Sequence, residues 1–377
     1  MARAVLECEL IPASTGRLRF ALAAEADDAE IRRLLRENPM AGRISLSFEH
    51  EPNWFSDASL PEQTKQTIVA REAGTVVCAG FCSIRRRFVN GAPRCVGYLG
   101  GLRLCSHQAG RFDILRRGYE FFRTLQSDDP ADFYFTSIAT DNHVARRFLE
   151  RGLPGMPTYE FVGEFVTVLL PVKHRPLGPI CATGPVPATD ELITLFNEHN
   201  RHQQFAPYWS IAELTALNPL GLKESDFRFI RQRGQVVACA ALWDQRAFKQ
   251  IVIRGYASGL ALARPALNLA SRIVGGTRLP AVGQTLANAF VSHLKVAPDE
   301  PDALIALTTE LRTLAAQRQI EILTLGFAAN DSRLATIRRS FRVREYHSRL
   351  YIVRWPETGG AARDLDARIL APETALL

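Results

Sequence analysis

Two stretches far apart in the chain read as copies of one another. "DFYFTSIATDNHVARRFLERG" runs from Asp132 to Gly152, and "EILTLGFAANDSRLATIRRSF" from Glu321 to Phe341. Each is an apolar strand, a polar break carrying an Asn (Asn142, matched to Asn330) and a short helix with a basic end. "VVCAGF" at Val76 is likewise echoed by "VVACAAL" at Val236. A chain built this way folds as a duplicated unit rather than as one long core. Between the copies, "PVKHRPLGPICATGPVPATD" holds five prolines and continues neither a helix nor a central strand, so it reads as a linker. The predicted organisation is an N-terminal domain over 1–172, a linker over 173–189, a second domain over 190–356 and a tail over 357–377.

Within the first copy, "IRRLLREN" has helical spacing behind an Asp27 or Asp28 cap. "TIVARE" and "TVVCAGFCSIRRRFV" are strands joined by a hairpin turn, and "VNGAP" turns into a further strand, "RCVGYLGGLRL". "PMAGRISLSFEHEPNWF" reads as a loop with short helical turns. The second copy repeats the order, with an insertion, "YASGLALARPALNLASRIVGGTRLPAVG", before its fourth strand. This mixture of hairpins and strand–helix units predicts a mixed α/β (α+β) class, each unit a mostly antiparallel twisted sheet with helices on both faces.

Bulk properties narrow the function classes. Of 377 residues, 47% are hydrophobic and 23% charged, which is globular rather than disordered or membrane composition. The net charge of +7 favours acidic or phosphate-bearing partners. The arginines are scattered rather than clustered, which argues against nucleic acid. No apolar run reaches bilayer length and the start lacks signal-peptide shape, so no membrane partner and a cytoplasmic location are expected. The seven cysteines form no CxxC pair, and Cys78 and Cys82 sit on one face of a strand as small core residues, so neither a metal nor a disulfide is expected. His199 and His202 lie three apart in "NEHNRH" without a third ligand nearby.

The stretch "YLGGLRLCSHQAGRFDILRRGYEFF", Tyr98 to Phe122, is an apolar strand, a glycine-bearing basic turn and a helix. A helix N-terminus presents several N–H donors to an anion, Gly110 removes a Cβ from the approach, and Gly100 and Gly101 inside a strand mark a bulge. With the Asn142 helix that follows the next strand, these segments resemble the GNAT (GCN5-related N-acetyltransferase) superfamily in a tandem arrangement with a degenerate second domain. The family turn places Gly at positions held here by Arg111 and Asp113, and its tyrosine acid is Phe148.

The resemblance implies an acyl-CoA, acetyl-CoA or another, bound by Gly101, Leu102, Arg103 and Leu104 along the strand. Gln108, Ala109, Gly110, Arg111 and Phe112 are expected at the pyrophosphate and Asn142 beside the cofactor arm. Direct transfer to a primary amine needs a proton acceptor and a donor for the leaving thiolate. Glu49 and Glu51 in "FEHEP" are the candidate bases and Tyr98 the candidate acid; His50 and Trp54 border the same loop. The second copy has Asp299, Glu300 and Asp302 where phosphates would sit, so no CoA is expected there. The acceptor is a small-molecule or protein amine, and a homo-oligomer is left open. The rival reading is a non-catalytic CoA-binding or interaction scaffold, and the apolar "ARILAPETALL" of the tail is a segment that can dock on a neighbour.

Overall fold

The structure is a computed structural model describing residues 18–57, 60–61, 63–108, 110–126, 131–172, 187–274, 278–355 and 365–377. Most of the predicted linker and part of the tail therefore lie outside the described residues, as does Ala109.

The strands are β1 (Leu18–Leu22), β2 (Ile44–Glu49), β3 (Gln63–Glu72), β4 (Thr75–Val89), β5 (Ala92–Leu104), β6 (Phe133–Ala139), β7 (Thr158–Pro171), β8 (Gln203–Gln204), β9 (Phe227–Gln232), β10 (Gln235–Trp243), β11 (Gln250–Tyr256), β12 (Asn288–Val296), β13 (Ile322–Ala328), β14 (Arg344–Arg354) and β15 (Ile369–Leu370). The helices are α1 (Asp28–Glu37), α2 (Phe112–Leu125), α3 (His143–Leu149), α4 (Thr189–Asn200), α5 (Ile211–Ala216), α6 (Ser258–Val274), α7 (Pro301–Gln317) and α8 (Ser332–Ser340). Among the described residues no helix is long and apolar enough to cross a membrane.

Local turn chemistry sets the hairpins. Ala73 and Gly74 join β3 to β4, and Asn90 and Gly91 join β4 to β5, all four at positive φ. Alternation along these strands then sends side chains to opposite faces. Val69 and Ala79 meet Ile31, Leu34 and Leu35 of α1, while Ala70 and Cys78 meet Ile114 of α2. The second half repeats this, with α7 and α8 packed on one face through Leu307, Leu311 and Ile337 and α4 and α5 on the other through Phe196 and Leu214. Cys78 and Cys82 are buried core thiols, and burial pushes Cys78 up to about 12.

The two halves share one 11-stranded sheet in the order β1-β3-β4-β5-β6-β14-β7-β13-β12-β10-β9. Its central strands are exchanged. β14 from the second half pairs with β6 of the first, and β7 from the first half pairs with β13 of the second. All steps are antiparallel except β5–β6 and β12–β13. A second link is the ribbon of β2 and β11, with Phe48 opposite Ile251. The segment expected to be a loop is thus a strand whose alternation, "ISLSFE", finds its partner some two hundred residues away. The apolar end of the tail, expected to be free for a neighbour, folds onto its own chain: β15 pairs with β8, and Ala375 packs among Trp209, Phe227 and Trp243.

Candidate functional site

β5 and β6 run side by side only where Val96, Gly97 and Tyr98 face Phe133, Tyr134 and Phe135. Beyond that pair they part, β5 continuing to Leu104 and β6 to Ala139. The cause is a bulge in β5, where the register with β4 slips between Ala79 and Phe81. Gly101 sits in the bulge at φ +64°, and a Cβ there would lie 2.7 Å from Phe81 Cδ1. β12 and β13 behave alike, pairing at Asn288, Ala289 and Phe290 and then diverging, with His293 at φ +55° in the bulge.

Both openings border a cavity of about 690 Å³. Its walls come from the first half (Tyr98, Gly101, Asn142), the exchanged β14 (Tyr346) and the second half (Lys249, Phe290). The second opening is occupied by the chain itself. His293 N–H donates to Glu373 Oε2 at 3.0 Å, and a Cβ on Gly326 of β13 would lie 1.8 Å from Thr374 Oγ1. Asp299, Glu300 and Asp302 fall at the start of α7, with Glu300 as its N-cap.

Of the expected cofactor residues, Gly101, Leu102, Arg103 and Asn142 line the cavity, whereas Leu104, which ends β5, and Gln108, Gly110, Arg111 and Phe112 of the turn do not. The turn that follows is a single 3-10 turn, Ser106–Gln108. Gly110, at φ +85°, has nothing within 4 Å of where a Cβ would stand. The polar side chains of the turn bind one another. Arg111 donates to both Asp113 oxygens at 2.8 Å and to Gln108 Oε1 at 3.0 Å, and Gln108 Nε2 donates to Glu72 Oε2 at 2.6 Å. The Arg111 guanidinium holds the Asp113 carboxyl below its usual range. Phe112 stacks on Phe148 with ring centroids 4.5 Å apart, so the phenylalanine in the family tyrosine's place is packing. Asn142 caps α3, its Oδ1 accepting from Ala145 N–H at 3.1 Å. In the second half the capping residue is Asp331, accepting from Arg333 N–H at 2.9 Å, so the counterpart of Asn142 is one residue beyond Asn330.

Tyr98, the last residue of β5 paired with β6, stands between Phe135 (centroids 5.1 Å) and Phe81 (6.0 Å). Burial pushes its hydroxyl up to about 12, so it stays protonated at neutral pH. The two candidate bases are engaged by arginines. Glu49 is buried and accepts from Arg254 and Ser47, with Arg36 Nε 3.7 Å away, while Glu51 pairs with Arg32 and with Arg36 Nη2 at 2.5 Å. Both carboxylates thereby pin β2 and the segment behind it to α1 and β11.

His50, between them, lines the cavity instead. Its ring lies 4.4 Å from that of Trp54, and its buried Nδ1 has no partner among the described residues. Burial, then the charge of Lys65, lowers it to about 3, leaving a neutral imidazole at physiological pH. Next to it Lys65 Nζ pairs with Asp57 at 2.5 Å and sits 4.9 Å from the Trp54 ring centroid.

Lys65, Asp57, Lys249 and Tyr346 are the cavity groups that sequence reasoning does not single out. Lys249 Nζ donates to Leu377 O at 2.6 Å, and burial lowers it to about 8. Tyr346 reaches the first opening only because β14 is exchanged, and burial, then Asp141, raises it to about 12. None carries a local signal; Lys65 and Asp57 pair with each other, while Lys249 and Tyr346 take their places from distant partners. Among the described residues no group of three or more His, Cys, Asp or Glu is placed to hold a metal ion. His199 turns Nδ1 to Leu195 O at 3.0 Å.

No protein-family model and no curated protein sequence matches this chain. Solved structures do. Saccharomyces cerevisiae N-myristoyltransferase with bound myristoyl-CoA superposes with a TM-score of 0.61 and 10% identity, over 92% of this chain and 84% of that one. A GCN5-related N-acetyltransferase from Sphaerobacter thermophilus gives 0.52 and 14% identity, over 89% and 95% of the two chains. At such identities the likeness is one of architecture, and it agrees with the paired strand openings: the chain has a two-domain GNAT-type fold.

Proposed function

We propose that the protein is an acyl-CoA-dependent N-acyltransferase that passes the acyl group directly to a primary amine, with one acyl-CoA site, in the first half. The observation that carries this reading is the parting of β5 from β6 beside a cavity of about 690 Å³, within the usual size of a small-ligand site. Those peptide groups of the Gly101–Leu104 segment that turn away from β4 would pair with an extended amide-bearing arm, Leu102 O now accepting from Arg103 Nη1 at 2.8 Å. In this reading the start of α2, with Gln108, Gly110, Arg111 and Phe112, would meet the phosphate end of that arm. The yeast N-myristoyltransferase of the same fold holds myristoyl-CoA, which supports an acyl-CoA ligand without specifying an acetyl group.

In this reading Tyr98 donates the proton to the departing thiolate, since its raised pKa keeps it protonated until negative charge develops. Peptide N–H groups at the β5 bulge face the thioester oxygen and stabilise the charge it gains as the amine nitrogen attacks. Glu49 and Glu51, engaged by arginines, anchor the wall, and His50 presents its unpaired Nδ1 to the acceptor nitrogen; the proton that this nitrogen loses on attack passes through solvent and restores Tyr98. Asn142 keeps α3 and β6 beside the opening. The acceptor is a small-molecule or peptide amine.

A second reading, a scaffold that binds CoA without transfer, is favoured by the mutual pairing of Gln108, Arg111, Asp113 and Glu72. The two are separated by following free thiol released from acyl-CoAs of increasing chain length with a panel of primary amines. Amine-dependent thiol release supports the transferase; tight acyl-CoA binding with no amine-dependent release supports the scaffold.

A further inference from the structure

Of the side chains that line the central cavity, His50, Gln245 and Thr324 each keep a buried polar atom with no partner among the described residues. A threonine hydroxyl rotates toward whatever acceptor is near; Gln245 has no such freedom. Its side chain is buried, and Nε2 donates to Ala375 O at 2.9 Å, so the atom left over is the oxygen, Oε1. Exchanging the two ends would set one carbonyl oxygen against another. Gln245 also sits in a tight turn just beyond β10, where its backbone oxygen accepts from Phe248 N–H at 3.0 Å and Lys249 N–H at 2.8 Å. Gln250 ties that turn to the segment of His50: its Nε2 donates to Glu51 O at 2.9 Å, and Glu51 N–H donates to its Oε1 at 2.9 Å. The fold thus brings Gln245 of the second half and His50 of the first to one end of the cavity.

The charges at this end limit what can approach. Those that act on His50 are two cations, Lys65 and Lys249, and one acid, Asp57. Lys65 is held by Asp57 at 2.5 Å, and Lys249 Nζ donates to Leu377 O at 2.6 Å. A second ammonium on the acceptor would meet two lysines and a carboxylate already paired. A carboxylate would find both lysines engaged and the Gln245 oxygen turned toward it. An unpartnered buried carbonyl oxygen lacks a donor, and here the donor has to be uncharged.

We propose that Gln245 selects the acceptor: its Oε1 accepts from a second, uncharged N–H or O–H group of the amine. The substrates are then primary amines that also carry an amide or an alcohol, rather than a second ammonium or a carboxylate. This rests on the acyltransferase reading, with His50 at the reacting nitrogen and Gln245 at the far end of the same molecule. A site built to accept such a bond discriminates well, because an analogue without the donor leaves the buried oxygen unpaired.

The test measures kcat/KM by thiol release for amines that differ in the donor: glycine N-methylamide against glycine methyl ester, and ethanolamine against 2-methoxyethylamine. Glycine and 1,2-diaminoethane supply the carboxylate and the second ammonium. Wild type is expected to favour the donor-bearing member of at least one pair by about tenfold or more, and to favour it over glycine and diaminoethane. Gln245→Leu is expected to bring that ratio close to one. Gln245→Glu loses the same bond to Ala375 O but keeps an accepting oxygen, and is expected to retain the preference. Each ratio compares two amines on one protein, so a general loosening of the tail cancels. Equal rates within both pairs in wild type, a ratio that survives in Gln245→Leu, or a preference for glycine or diaminoethane would overturn the proposal. Thermal unfolding midpoints with millimolar N-methylamide or ester need no turnover. A midpoint raised by the amide alone, with no thiol released by any amine, leaves the Gln245 subsite standing and removes the acyltransferase reading; no shift and no release overturn both.

Discussion

Gly101 and His293 hold the same place in the two halves. Each lies three residues past the last parallel pair of its strand, Tyr98 or Phe290, and each has positive φ, +64° and +55°. The likeness of the two halves therefore extends to the bulge that opens the sheet. The halves differ beyond the opening: a cavity lies beside Gly101, whereas the chain's own Glu373 lies against the His293 N–H. Gly101→Ala places a methyl group 2.7 Å from the Phe81 ring at a backbone conformation L residues disfavour. The expected cost is about 1–3 kcal/mol, read from urea unfolding. A cost near zero would mean that Gly101 does not sit in a tight bulge against Phe81.

The ion pair of Glu49 with Arg254 spans the β2–β11 ribbon, with the Glu49 side chain 5% and the Arg254 side chain 24% exposed. Arg254→Met strands a buried carboxylate that keeps only Ser47 and the more distant Arg36. The expected loss is on the order of 2–4 kcal/mol, toward the low side of the range for broken buried pairs because Arg254 keeps some solvent. Glu49→Met/Arg254→Met should cost less than Arg254→Met alone, since it leaves no unpaired charge. A double-mutant cycle in urea decides this, and strict additivity would rule the coupling out.

His50 titrates at about 3 in the folded chain against 6.5 for the free group. Between those values the unfolded chain binds more protons, so this residue's contribution to stability falls as pH drops from about 6.5 to about 3, by at most about 1.4 kcal/mol per pH unit. His50→Gln removes that contribution. The variant should lose about 3 kcal/mol less than wild type between pH 7 and pH 4. Denaturant unfolding at the two pH values measures the difference, and parallel losses in the two proteins would mean that His50 is not buried neutral.

What could be read from the sequence was what short-range chemistry determines. "TDNHVARRFLERG" yields α3 because Asn142 caps it and Gly152, at φ +61°, ends it. The Asn90–Gly91 turn fixes the β4–β5 hairpin in the same way. Pairing between remote strands has no such signal. "YEFVGEFVTVLL" reads as a strand, yet nothing in it says that β7 will lie against β13 rather than β6, and so nothing brings Tyr346 of β14 to the first opening. The same holds for "FEHEP". Its acids attract notice as bases, but Arg254, 205 residues further on, and the arginines of α1 claim them, and it is His50 that faces the cavity. α6 is missed for another reason: Pro265 within it reads as a breaker, although its neighbours are nearly all good helix formers.

The functional reading rests on a single acyl-CoA site at the β5–β6 opening. Calorimetric titration of acetyl-CoA and of a long-chain acyl-CoA into wild type and Gly110→Asp is the decisive experiment. Gly110 has open space around it but holds φ +85°, so Gly110→Ala, which carries the same backbone strain without the charge, is titrated beside it, and the difference between the two variants reports the negative charge at the start of α2. Binding of one ligand per chain at micromolar concentration is expected, weakened at least tenfold in Gly110→Asp and less affected for the corresponding pantetheine. Absence of binding to wild type at millimolar ligand, or two sites per chain, would refute the single-site reading.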